Sequence, residues 1–134
     1  MTEICKLNEI PDGGMRPVIV EKHCLVLVRR GDDVYALLDQ CPHQGAPLSC
    51  GVVTCRRMID TAGDYHAEKD GLIVRCPWHN WEIDVTDGSA CHADNVRVRT
   101  FPVVIKNGVV SVEVYPYALC HIISVTKIKI IKSY

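Results

Sequence analysis

The polar and apolar positions of this chain alternate with a period of two over most of its length, with β-branched residues between turn signals and little that reads as helix. The pattern predicts an all-β, antiparallel protein. Residues 4–7 form a first strand ended by Pro11-Asp12-Gly13-Gly14, and residues 18–21 a second after Pro17. Residues 24–30, the turn Gly31-Asp32-Asp33 and residues 34–39 make a hairpin that leads directly into Cys41. Residues 51–55 and 71–76 have strand character, residues 81–85 follow them, and Asp87-Gly88 turns the chain. The alternation is cleanest downstream. Val96, Val98 and Thr100 share a face opposite Arg97 and Arg99, and Val110, Val112 and Val114 oppose Ser111 and Glu113 after the Lys106-Asn107-Gly108 hairpin turn. Residues 126–130 read as a final strand whose Lys127 and Lys129 would blunt an exposed edge.

One stretch breaks the rhythm. Residues 56–70 (RRMIDTAGDYHAEKD) are polar, turn-rich and without a sustained period, and are predicted to be an inserted surface loop. No repeat, linker or low-complexity segment interrupts the rest, so residues 1–134 are expected to form a single domain around one core. With 48% hydrophobic residues, 23% charged residues and a formal charge of −1, the chain fits neither the disordered nor the strongly basic, nucleic-acid-binding class.

The first residues lack the basic-then-apolar layout of a signal peptide, and the apolar run 117–125 contains His121 and Ser124 and is far shorter than the roughly 20 residues that span a bilayer. A cytoplasmic protein without a membrane anchor is expected. This changes the meaning of its eight cysteines. In a reducing compartment they point to metal binding or free thiols rather than to four disulfides.

Two of them sit in a distinctive setting: Cys41-Pro42-His43 and Cys76-Pro77-Trp78-His79 each place a thiolate donor and an imidazole donor beside a proline. An iron-sulfur dimer with two thiolates on one iron and two imidazoles on the other needs this donor set, one Cys and one His from each of two facing loops. Pro42 and Pro77 restrict φ and stiffen both loops before a metal arrives.

These residues resemble the Rieske proteins, whose signature is C-x-H in one loop and C-x-x-H in the other. The resemblance extends through Cys41-Pro42-His43-Gln44-Gly45-Ala46-Pro47-Leu48, Ile73-Val74-Arg75-Cys76-Pro77-Trp78-His79, Trp81-Glu82-Ile83-Asp84 and Asp87-Gly88 to the strand-turn-strand at 96–114. It implies an antiparallel β-sandwich or barrel with a small cluster-binding subdomain, about residues 41–90, made of two β-hairpin loops. It also implies a Rieske-type 2Fe-2S cluster, with Cys41 and Cys76 on one iron and His43 and His79 on the other, solvent-facing iron. Two departures stand out: the 56–70 insert lengthens the gap between the loops, and Asn80 replaces the usual Gly. Asn is among the few residues that tolerate positive φ.

The respiratory-chain branch of the family carries an extra Cys in each loop, joined as a disulfide, and a hydroxyl residue that bonds the cluster. Ala46, Trp78 and Trp81 stand in those places here. Fewer hydrogen bonds to the sulfurs imply a potential near the low end of the Rieske range, about −150 mV, and membership of the ferredoxin and oxygenase-type group.

Zinc could also use two Cys and two His, but the one-residue gap between Cys41 and His43 is short for a zinc knuckle. An all-Cys plant-type cluster starting at Cys50 and Cys55 fails because its next ligand would be Met58. Cys5, Cys24, Cys50, Cys55, Cys91 and Cys120 are expected to be packed thiols; Cys50, Cys91 and His92, if near the cluster loops, could instead tune the cluster or bind a stray metal. His23, His66 and His121 have no partner motif. Trp78 and Trp81 are expected to shield the cluster from water. Arg56, Arg57, Arg75, Arg97 and Arg99 form either a docking patch for an acidic partner or a solvated face.

The sequence offers no second His pair for the mononuclear iron of a terminal oxygenase. The function implied is a one-electron carrier between two protein partners, a reductase and an oxygenase-type acceptor, with no catalytic residues of its own. A small Rieske-like subunit of a nitrite reductase, or a zinc-stabilised interaction module, are the alternatives.

Overall fold

The computed structural model describes residues 2–42, 45–59, 61–63, 65–78, 80–91, 93 and 95–114, with the backbone alone at 57–59 and 65–68. Its strands are β1 (Thr2–Lys6), β2 (Met15–Val20), β3 (His23–Arg30), β4 (Asp33–Leu38), β5 (Val52–Ile59), β6 (Tyr65–Arg75), β7 (Glu82–Asp84), β8 (Thr100–Phe101), β9 (Val103–Lys106) and β10 (Val109–Val112). They form three antiparallel sheets with the orders β1-β10-β9, β2-β3-β4-β8 and β5-β6-β7. Two short 3₁₀ turns, Leu7–Glu9 and Leu48–Cys50, complete the regular structure. No helix among the described residues is long and apolar enough to cross a membrane.

The middle sheet organises the other two. In β3 the run Leu25-Val26-Leu27-Val28 is buried on both faces, which is why it reads as continuous apolar sequence rather than as alternation. Leu25 and Leu27 join Val34, Ala36, Phe101, Val110 and Val112 in one apolar cluster. Val26, Val28 and Leu37 join Val74, Ile83, Val85, Cys41 and Cys76 in another. The single core expected from length is thus two cores, one on each side of one sheet. The second already contains both candidate thiolates.

Turn chemistry closes the hairpins. Gly31, at φ 61°, turns β3 into β4 with Arg30 opposite Asp33. Asn107 and Gly108, at φ 53° and 75°, join β9 to β10. The β2–β3 turn uses Glu21 and Lys22 at φ 48° and 71°, a left-handed pair with no glycine to announce it.

Three elements differ from expectation. Residues 56–70 extend a hairpin rather than form a loop: β5 runs to Ile59, and β6 returns with Arg57 opposite Ala67 and Ile59 opposite Tyr65. This two-stranded ribbon projects beyond β7, so its ladder is held by backbone bonds that demand no apolar period. Residues 96–99 are extended but lie outside any strand. Ala90 N donates to Val96 O and Val98 N to Gly88 O on one side, while Leu38 N donates to Arg99 O on the other, so the segment stitches the β7 side to the middle sheet. The first candidate loop, finally, does not close a pair of adjacent strands: it carries the chain from β4 in one sheet to β5 in another. Only the second loop tips a hairpin, between β6 and β7. The strand read at 126–130 lies outside the described residues.

Candidate metal centre

The two loops share one backbone frame. Cys41 N donates to Ala46 O at 2.7 Å, and Gly45 N donates to Cys41 O at 2.8 Å. Cys76 N donates to Trp81 O at 2.7 Å, and Asn80 N donates to Cys76 O at 3.2 Å. The fifth residue of each frame is left-handed, Gly45 at φ 77° and Asn80 at φ 57°. Each frame is a closed six-residue loop with a cysteine at its base and a proline next to it.

Both cysteines are free thiols only 2% exposed. Their side chains face each other: burial pushes the Cys76 thiol up, the Trp78 amide opposes that, and a hydrogen bond with Cys41 raises it again. Pro42, Pro77, Trp78 and Asn80 are exposed, so each loop runs from a buried thiol to a wet tip. His43 and His79, read from the sequence as the imidazole donors, lie outside the described residues, between these exposed positions in the chain.

The loops are held from behind by contacts their own sequence does not reveal. Asp39 accepts from Ser49 N at 2.7 Å and Ser49 Oγ at 2.6 Å, tying the entry of the first loop to its exit. Gly51 then lies against the residue that enters the second loop; a Cβ here would come within 1.9 Å of Arg75 O. Behind the second loop, buried Asp84 accepts from Thr86 N at 3.0 Å and Thr86 Oγ1 at 2.6 Å, and it pairs with Lys69 Nζ from the ribbon. Burial alone would raise the Asp84 pKa, but Lys69 and Thr86 outweigh it and hold the carboxyl below the usual carboxylate range. The Lys69 ammonium is raised in turn, mainly by its hydrogen bond to Asp84. The sequence showed Asp84 within the resemblance and Lys69 as one charge of the 56–70 stretch, with nothing to pair them.

Several expectations change. Cys24 and Cys50 are exposed rather than packed; Cys5, Cys55 and Cys91 are half-buried. Cys24 shares the face of Val26 and Val28 but lies beyond the end of their core, and Cys50 ends a 3₁₀ turn in which only Leu48 is buried. Cys120 and His92 are outside the described residues. Trp81 packs on the thiolate-bearing core, consistent with shielding, whereas Trp78 is 55% exposed at the tip. The five arginines divide. Arg75 pairs with Glu82 at 3.5 Å, Arg99 lies over the Phe101 ring, and Arg56 and Arg97 line a common groove. The Arg57 side chain is not described.

The buried, facing thiols on matched loops, with no disulfide between them, suit a soft metal centre rather than a structural bridge. A family model, the Rieske 2Fe-2S domain, matches residues 1–102. The chain belongs to this Rieske family. Its cofactor class is accordingly the Rieske-type 2Fe-2S cluster. The Rieske chain is 26% identical over 114 residues to the ferredoxin component of the alkene monooxygenase system of Xanthobacter autotrophicus, covering 85% of this chain and 81% of that one. Among solved structures it is similar to the ferredoxin of carbazole 1,9a-dioxygenase from Nocardioides aromaticivorans, with a TM-score of 0.69 and 28% identity over 86% of this chain and 100% of that one. It is also similar to a chain in the complex of reduced oxygenase and oxidized ferredoxin in carbazole 1,9a-dioxygenase, with a TM-score of 0.65 and 28% identity over 83% of this chain and 99% of that one. The Rieske fold explains why the middle sheet is buried twice: one face carries the base, the other the loops.

Proposed function

We propose that this chain is a one-electron carrier, a Rieske ferredoxin in which Cys41 and Cys76 bind one iron and His43 and His79 the other, and which passes electrons from a reductase to an oxygenase-type acceptor. The observation that carries the reading is the pair of buried, free and mutually facing thiols on two loops with the same frame and exposed tips. When bound, the cluster supplies a one-electron couple. The protein supplies the rest. Gly45 and Asn80 bend the loops back over their cysteines, Trp81 and the apolar core exclude water from the thiolate side, and the wet tips bring a partner's surface near the imidazole side. The similarity to dioxygenase ferredoxins over nearly their whole length supports a carrier rather than a catalyst.

Trp81 offers the centre no hydroxyl, and Ala46 offers no cysteine for a cross-loop disulfide. Both support a potential near the low end of the family range, about −150 mV. The seven cysteines among the described residues are all free, which supports a reducing, cytosolic location. Metal and sulfide analysis with electron paramagnetic resonance of the reduced protein tests the assignment. Two irons and two acid-labile sulfides per chain with nitrogen coupling are expected; zinc without sulfide would replace the carrier with a zinc-held module.

A further inference from the structure

Beside the proposed centre lies an open groove of about 580 Å³ that neither of the described proposed ligands, Cys41 and Cys76, lines. The β5–β6 ribbon supplies Arg56 and Lys69 to one wall, and the segment after β7 supplies Asn95 and Arg97 to the other. Among the described side chains its charges do not cancel. Lys69 is neutralised by Asp84, but the described contacts of Arg56 are with Cys91, its carbonyl at 3.5 Å and its thiol, and not with a carboxylate. Arg97 is exposed and makes no ion pair among the described residues. Two guanidiniums therefore face a concave surface on a chain whose formal charge is −1. Concave walls focus such a field toward solvent.

The groove and the first loop share one side chain. Arg97 lines a second hollow of about 490 Å³, whose wall includes Cys41, Pro42 and Gly45 of the first loop together with Arg99. Arg97 thus stands between the groove and the loop that carries Cys41, so a ligand held on it lies on the first-loop side. Guanidinium forks favour carboxylates in bidentate geometry. The volume and openness suit an extended peptide better than a single small anion, which is normally held by buried donors. A nucleic acid would call for a long basic stripe, and the net charge of the chain argues against one.

We infer that this groove is a docking site for an acidic segment of a redox-partner protein, with carboxylates on Arg56 and Arg97, and that it steers the partner to the first-loop side of the centre. The inference rests on the carrier reading for the identity of the partner, and on the groove alone for its chemistry. The experiment is fluorescence anisotropy of a labelled octaglutamate peptide with the iron-loaded protein at about 50 mM and about 300 mM salt. Binding that weakens with salt is expected. Arg56→Gln and Arg97→Gln should each weaken it by about fivefold, and the double variant more. As base variants, Arg16→Gln in β2 of the middle sheet and Lys106→Gln in β9, neither of which lines the groove, should leave it unchanged. Absent peptide binding, an unaltered double variant, equal losses in the base variants, or tighter binding of a single-stranded octanucleotide would each overturn the inference. The visible spectrum and dithionite reduction of every variant separate the two ideas. A colourless protein whose groove still binds the peptide overturns the carrier alone, whereas a red-brown, reducible protein without groove-dependent binding overturns the docking site alone.

Discussion

Asn80 holds in the second loop the place that Gly45 holds in the first: each donates its amide to the carbonyl of the cysteine four residues before it, and each does so at positive φ, 57° and 77°. The one position where this chain departs from the usual glycine therefore keeps the geometry, because Asn pays little of the left-handed penalty that other side chains incur. Asn80→Gly should change stability by less than about 0.5 kcal/mol, while Asn80→Val should cost about 1–2 kcal/mol and loosen the second loop. Urea unfolding of the loaded proteins, followed by the loss of visible absorbance, measures both.

Gly51 sets the distance between the two loops. It leaves the first loop and touches Arg75 O, which enters the second, so closely that a methyl group would lie 1.9 Å from that oxygen. Because the obstacle is backbone, no rotamer change can relieve it. Gly51→Ala should destabilise the protein by at least about 2 kcal/mol. It should also lower the iron bound per chain, since the cysteines at the two loop bases would be pushed apart. Iron content and melting temperature check the two effects separately.

The Lys69–Asp84 pair ties the projecting ribbon to the back of the second loop. Asp84 has its pKa depressed in the folded protein, so its contribution is present above the ordinary carboxylate pKa of about 3.9 and is lost as the pH falls through the lower, folded value. Lys69 is raised, so its contribution is present below about 10.4 and disappears as the pH climbs through its folded value. Lys69→Met leaves a buried carboxylate with Thr86 alone. It should cost about 1–3 kcal/mol at pH 7, at the lower end because the lysine is half exposed. The gap between variant and wild type should narrow toward pH 3. Urea midpoints across the acid range provide the comparison.

Trp78 presents a large apolar surface at the tip of the second loop, 55% exposed. Its truncation removes little from the core, so Trp78→Ala should shift stability by less than about 0.5 kcal/mol. An exposed aromatic next in the chain to the proposed ligand His79 is instead the type of side chain that anchors an interface, and on the proposed carrier role the rate of electron delivery to the oxygenase component should fall by about tenfold or more. Dithionite reduction and the reduction potential should be unchanged. Stopped-flow traces of reduction by dithionite and of re-oxidation by the oxygenase component distinguish a lost contact from a damaged centre.

Where a local rule governs, the chain could be read directly. The Gly31 and Asn107-Gly108 turns, the alternation at 109–112 and the two Cys-Pro loops all follow from chemistry within a few residues. The same limit explains the failures. Glu21 and Lys22 form a left-handed turn because the β2–β3 register imposes it, and the 56–70 ribbon pairs through backbone bonds that require no apolar period in the sequence.

Donor identity and spacing were present in the residues themselves, since one loop can be recognised without knowing where the other lies. The facing of Cys41 and Cys76 could not be. Their loops leave different sheets, and they meet because β3 is buried on both faces, because Gly51 lets the backbone at 75 approach, and because Lys69 and Asp84 hold the ribbon behind them. These are contacts between residues remote in sequence, and no short-range pattern encodes them. The groove at Arg56 and Arg97 arises in the same way, from a ribbon and a loop that only the folded chain sets side by side.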